Sequence, residues 1–150
     1  MGIDLGLNTV AAVVTNTGMN PILFGGKPIK SINQYYNKQT GKLKSALRNG
    51  KEFHEGSYMS KRLEKYAQMR HLKIKDLFHK VSFKIVNLAL TEQVDIIVIG
   101  TNQGWKQRVN LGKMNNQHFV SVPFAMFISM IAYKANKVGI QVVQTEESYT

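Results

Sequence analysis

The sequence predicts an α/β fold on a mixed sheet, with elements in the order β-β-β-α-α-β-α-β. Three observations carry this. Short runs of strand-forming residues, parted by Gly- and Asn-containing turns, open the chain. One continuous β-branched run, Asp95-Ile96-Ile97-Val98-Ile99-Gly100, lies late in it, as a strand buried on both faces requires. Between them, apolar residues recur at three- and four-residue steps, the period of a helix.

The elements follow in order. Gly2-Ile3-Asp4-Leu5-Gly6 reads as a strand that turns at Asn8-Thr9. Val10 to Thr15 is a second strand, closed by Asn16-Thr17-Gly18, and Pro21 to Phe24 is a third, ending at Gly25-Gly26. The tight turns make these an antiparallel meander. Ser31 can cap a helix reaching about Arg48, and Asn49-Gly50 breaks it. A longer helix is expected from about Ser57 to Leu90, with Leu63, Tyr66, Leu77, Val81, Ile85 and Leu88 on its apolar side. The two helices suggest an antiparallel hairpin inserted at about residues 30–92 of a single domain spanning 1–150. After the buried strand, Thr101 to Val120 reads as a polar loop. Pro123 to about Lys137 is a helix ended by Gly139, and Ile140 to Gln144 is a fifth strand. A meander followed by alternating helix and strand fits a ribonuclease-H-like sheet, in which the first strand lies mid-sheet beside the fourth and the fifth lies outside the fourth.

Composition narrows the function classes. At 43% apolar and 19% charged, 150 residues suffice for a packed core. The absence of cysteine excludes disulfides, thiolate zinc sites and cysteine nucleophiles within these residues. No apolar run approaches the roughly 20 residues of a membrane span, and Asp4 stands where a signal peptide would be basic. The expectation is a soluble, cytoplasmic protein. The formal charge is +11, and all of it lies between Lys27 and Lys84, where fifteen bases face four acids; elsewhere five bases balance five acids. Such a patch attracts polyanions through counterion release, although basic residues also serve as an ordinary solvated helix face. The bases singled out for nucleic-acid contact are Lys61, Arg62, Arg70, Lys73, Lys75 and Lys80, with His79 among them and Lys106 in the polar loop.

Few residues outside the basic region can do chemistry. Asp4 sits inside an apolar strand between two glycines that would let a metal, water or phosphate approach. A carboxylate buried there would have to be paired, hydrogen-bonded or metal-bound; it could also simply accept turn N–H bonds near Asn8. Glu146 and Glu147 follow the fifth strand, near the sheet end where open α/β sheets place their sites. Glu92 and Asp95 belong to the turn at the other end of the fourth strand. His54, His71, His79 and His118 show no metal-ligand spacing. No Gly-rich run ends in Lys-Ser or Lys-Thr, so P-loop nucleotide hydrolysis has no support. Trp105 beside Lys106, Gln107 and Arg108 offers either base stacking or a loop anchor.

Three segments together carry a resemblance: Gly2-Ile3-Asp4-Leu5-Gly6-Leu7-Asn8, the helical Leu77-Phe78-His79-Lys80-Val81-Ser82, and Glu146-Glu147-Ser148-Tyr149-Thr150. They resemble the TnpB family, the OrfB-type transposase-associated proteins of insertion sequences, related to type V CRISPR effectors and Fanzor proteins. The resemblance implies a RuvC-like DNA endonuclease with a ribonuclease-H fold. Such enzymes hold Mg²⁺ (Mn²⁺ can replace it) through an Asp on the first strand, a Glu and a later Asp. Asp4 matches the first. The usual Glu follows the fourth strand, where this chain has Gly100 and Thr101; some relatives instead carry a Glu two residues before Tyr-Thr, which Glu147 matches. Glu146 stands as a neighbour whose role could be exchanged with it. The family's zinc ribbon and final Asp come after the Tyr-Thr pair, so the resemblance implies a core cut before both, inactive or weakly active alone.

The mechanism implied is two-metal phosphodiester hydrolysis, with Asp4 and Glu147 as ligands and hairpin cations holding a guide RNA–DNA duplex by its backbone. The partners expected are DNA and, in the longer protein, guide RNA, with no membrane and no small-molecule substrate. Two alternatives stand beside it. One is a nucleic-acid-binding module of the same fold whose site has decayed, signalled by Gly100. The other is an actin-like ATPase, which shares the Gly-Ile-Asp-Leu-Gly opening but needs phosphate loops and a second lobe that this chain lacks.

Overall fold

A computed structural model describes residues 1–51, 55, 59–101 and 122–146. Within them the chain forms strands β1 (Gly2–Asp4), β2 (Thr9–Val14) and β3 (Ile22–Gly25), helices α1 (Lys27–Arg48) and α2 (Lys61–Thr91), strand β4 (Ile96–Thr101), helix α3 (Phe124–Lys137) and strand β5 (Gln141–Glu146). The strands make one five-stranded mixed sheet in the order β3-β2-β1-β4-β5. The meander β1-β2-β3 pairs antiparallel, whereas β4 joins β1 in parallel and β5 joins β4 in parallel. The chain therefore has the mixed sheet and three helices expected, with the first strand in the middle.

Alternation along the strands sorts their residues into two faces. Ile3, Ala11, Val13, Ile97 and Ile99 point to one face and are buried to within a few per cent. They meet Ile29 of α1, the second half of α2 and the apolar side of α3 in one core. The Phe78 and Phe127 rings stack there with centroids 4.6 Å apart, tying α2 to α3. The opposite face carries Gly2, Asp4, Val14, Leu23 and Ile96; Val14, Leu23 and Ile96 are 48%, 66% and 45% exposed. Among the described residues no helix covers it.

Helix ends depart from the sequence expectations in instructive ways. Ser31 does not cap α1. The helix starts four residues earlier, behind Gly26, with a proline in its first turn. Pro28 suits that place, because the N–H it lacks would have no intrahelical acceptor there. For α2, Ser60 is the cap, its Oγ accepting from Leu63 N at 3.3 Å; Ser57 lies outside the described residues. Gly139 does end α3, at a φ of +80°, and lets Ile140 N reach back to Ala135 O at 3.0 Å. β5 is longer than expected, so Glu146 is its last residue and not the start of a loop. Thr101 belongs to β4, and the rest of the expected polar loop lies outside the described residues.

The two long helices pack antiparallel, but α2 is more than half of a hairpin. At 31 residues it runs about 46 Å. Its first half lies against α1 and its second half, from Ile74 to Ala89, forms a wall of the core. The turn after β1 is fixed to the start of α1. Gly26 N donates to Asn8 O at 2.8 Å, Lys30 Nζ donates to Asn8 Oδ1, and a Cβ on Gly26 would lie 2.0 Å from Leu7 O. A Gly26→Ala substitution must therefore push the turn that follows Asp4 off the helix. It is expected to lower unfolding free energy by about 1–3 kcal/mol in urea titration, whereas Gly41→Ala, which meets nothing, should not destabilise.

Candidate functional site

Asp4 closes β1, the central strand, at its carboxyl end. Its partner in β2 is Ala12. One residue past the Ile3–Ile99 pair it draws level with Gly100 of β4, which in turn pairs with Thr145 of β5. The expectation of a buried carboxylate is overturned. Asp4 is exposed, because its side chain leaves the strand on the face that no described helix covers. No described residue bonds to its carboxylate, and the neighbouring strand offers only the bare backbone of Gly100. The result is an accessible hard-oxygen donor with open space beside it.

The second acidic candidate falls differently. Glu146 pairs with Thr101, one step beyond the Gly100–Thr145 pair. It therefore has the parity of Ile99 and Gln144, the helix side of the sheet, and is exposed at the strand end. Asp4 and Glu146 belong to the same end of the sheet but to opposite faces. Glu147 lies outside the described residues. Alternation assigns Val143 and Thr145 to the Asp4 face. Among the described residues no three His, Cys, Asp or Glu side chains come together. Glu92 and Asp95 stand at the far end of the sheet, where Thr17 Oγ1 donates to Glu92 and Asp95 O accepts from Gln141 N at 2.9 Å. A cavity of 780 Å³ opens near them, along the uncovered face between Gly2, Val14, Ile96 and Val98, and does not include Asp4.

The expected nucleic-acid contacts divide into two groups. Lys61, Arg62, Lys73 and Lys75 are exposed on α2. Lys80 is exposed too but pairs with Asp76 one turn earlier at 2.7 Å. Arg70 and His79 make contacts within the fold. Arg70 Nε donates to Asn33 Oδ1 at 2.6 Å, and its guanidinium lies 5.4 Å from the centre of the Tyr36 ring. Burial lowers the Arg70 pKa, partly opposed by Tyr36. His79 of α2 faces α3, its Nδ1 3.5 Å from Tyr133 Oη. Its carbonyl accepts from Lys134 Nζ at 2.7 Å, and that ammonium also donates to Ser82 Oγ at 2.6 Å. Burial lowers the Lys134 pKa as well. Lys106, Trp105, His54 and His118 lie outside the described residues.

Sequence reasoning missed the aromatic component of the hairpin. Tyr35 of α1 and Tyr66 of α2 meet with ring centroids 6.3 Å apart, and Lys73 Nζ lies 6.0 Å from the centre of Tyr35. The signal was in the sequence as Arg62, Tyr66, Met69 and Lys73, spaced by four, three and four, which puts them on one stripe of a helix. Asn33, only 2% exposed, sets the depth of this contact by holding Arg70. Asn33→Ala is expected to cost about 1–3 kcal/mol, read as a lower melting temperature, while the exposed Asn37→Ala should stay within about 0.5 kcal/mol of wild type.

Residues 1–106 match the OrfB_IS605 family, described as a probable transposase. No curated protein matches the sequence. The fold is similar to a chain in the cryo-EM structure of a CRISPR-Cas12f ternary complex, with a TM-score of 0.76 at 15% identity over 99% of this chain and 28% of that one. It is also similar to a chain in the cryo-EM structure of a Cas12f1-sgRNA-target DNA complex, with a TM-score of 0.68 at 13% identity over 97% of this chain and 35% of that one. The present chain thus spans about a third of the length of either.

Proposed function

The chain belongs to the OrfB_IS605 family of probable transposases, and from that membership we propose that it is the RuvC-like, ribonuclease-H-type core of a metal-dependent DNA endonuclease. The observation that carries the reading is Asp4: an accessible carboxylate at the carboxyl end of the central strand, facing away from the core, beside a residue without a side chain. Mid-sheet position fixes its backbone firmly, and the open face leaves room for a phosphodiester.

Asp4 fits Mg²⁺ by donor type, because hard oxygen ligands suit that ion. In this reading Asp4 and Glu147 hold the metal, and Glu146, on the helix side of β5, supports the strand end. Bound magnesium would supply activation of water and stabilisation of the leaving oxygen. The protein's own part is to hold Asp4 at the end of the central strand, while Lys61, Arg62, Lys73 and Lys75, exposed on α2, attract phosphates. The partners proposed are DNA and a guide RNA. One of the two complexes of similar fold, described as a Cas12f1-sgRNA-target DNA complex, supports that choice.

A second reading is favoured by one observation. Gly100 occupies the position level with Asp4 on β4, where a carboxylate would complete a pair directly. In that reading the chain binds nucleic acid and does not cut it.

Metal binding separates the two. Mn²⁺ added to the chain is expected to broaden the backbone amide signals of Asp4, Gly100 and Thr145. Asp4→Ala should weaken that binding by more than about tenfold; Glu147→Gln should weaken it more than Glu146→Gln. Equal binding by wild type and Asp4→Ala, or magnesium-dependent DNA cleavage that survives Asp4→Ala, overturns the nuclease reading. Absence of metal binding with intact DNA affinity supports the binding module.

A further inference from the structure

The hairpin carries a groove that phosphate attraction alone does not explain. Two adjoining cavities, of 260 and 560 Å³, open on either side of Tyr35. Both are walled by Tyr35, Tyr66 and Met69. Cations surround them: Arg70 and Lys73 at one end, Lys61, Arg62 and Lys65 at the other. No Asp or Glu lines either one among the described residues. Tyr35 remains 51% exposed and Met69 39% exposed, so neither is consumed by packing between the helices.

This combination constrains the occupant. An apolar protein segment laid over the groove would strip water from several cations without returning charge, which is unfavourable. A double helix would present phosphates to the cations but keep its bases stacked inside, leaving the Tyr35 face unused. An unpaired strand offers both components at once, a flat π-surface for the ring and a phosphate on either side of it. The rings tilt at 58° to each other, and Tyr35 is exposed where Tyr66 is half-buried, so Tyr35 offers the platform and Tyr66 its side wall. The Lys73 ammonium near Tyr35 is placed to meet the phosphate next to a stacked base.

We propose that this groove binds a single-stranded stretch of nucleic acid, with an unpaired base stacked on Tyr35 against Tyr66 and Met69 and its flanking phosphates held by Lys73 at one end and by Lys61 and Lys65 at the other. The proposal rests on the nucleic-acid-binding part of the reading above and adds the strand state and the stacking residue. It does not depend on metal or on Asp4.

Fluorescence anisotropy with labelled twenty-nucleotide oligothymidine, oligouridine, a duplex and an abasic oligomer, in EDTA, tests it. Tyr35→Ala should weaken oligothymidine or oligouridine binding by about 5- to 100-fold, Tyr35→Trp should restore it, and abasic and duplex binding should be unchanged by either. Lys73→Gln and Lys65→Gln should weaken every probe and each reduce the salt dependence by about one unit of slope. The thymidine and uridine arms identify whether DNA or RNA is the better occupant. If Tyr35→Ala leaves the single-strand affinity unchanged, or weakens the abasic oligomer equally, the stacking site is wrong while general nucleic-acid binding stands. If wild type binds none of the probes, the broader reading fails with it. Circular dichroism of Tyr35→Ala, at an exposed position, should match wild type; a collapsed spectrum transfers the test to Tyr35→Trp and Lys73→Gln, and the proposal is overturned if Lys73→Gln keeps wild-type affinity.

Discussion

Everything in this fold rests on the parallel pairing of β1 with β4. Gly2 lies opposite Val98 and Ile3 opposite Ile99, so two short strands separated by the whole helical hairpin must find each other. Closing so long a loop costs entropy, and a three-residue strand supplies few bonds to offset it. The offset comes from burial. Ile3, Ile97 and Ile99 are all but excluded from water, and they pack onto the second half of α2, the helix that leads into β4. The single helix thus delivers β4 to β1 and covers the junction it creates.

That arrangement gives α2 two environments along one axis. Toward its carboxyl end it presents Phe78, Val81, Ile85 and Ala89 to the core, with Lys134 of α3 capping the His79 carbonyl and Ser82 hydroxyl. Toward its amino end it projects past the sheet with α1 and carries most of its lysines and arginines in water. Rigidity links the two. A helix anchored in the core by Phe78 holds Tyr66 and Lys73 in a fixed relation to the sheet, and therefore to Asp4. Whatever lies along the hairpin is positioned by the same element that positions the carboxylate.

The sheet, in turn, has two unlike faces. Among the described residues the helices pack on one face only, and the other keeps Val14, Leu23 and Ile96 substantially in contact with solvent. Asp4 shares that second face. Its accessibility follows from parity: with Ile3 committed to the core, the next residue must point away from it.

Much of the secondary structure was legible because it is written locally. The β-branched run of β4, the three- and four-residue spacing of α2 and the glycine after α3 each act through nearest neighbours, and each appears where expected. The start of α1 was misplaced because Ser31 is a good cap in isolation, while the true start is set by Asn8, from another part of the chain, bonding to Gly26. The candidate site was half legible. Sequence identified Asp4 and the concentration of positive charge, since residue type and charge density need no coordinates. Alternation also divided each strand into two faces, but which face the helices cover is a non-local outcome of packing. Only the tertiary structure therefore decided that Asp4 is exposed and that Glu146 has the opposite parity. It alone brought Tyr35 against Tyr66 as well, because a groove between two helices depends on their register, which the period of neither helix encodes.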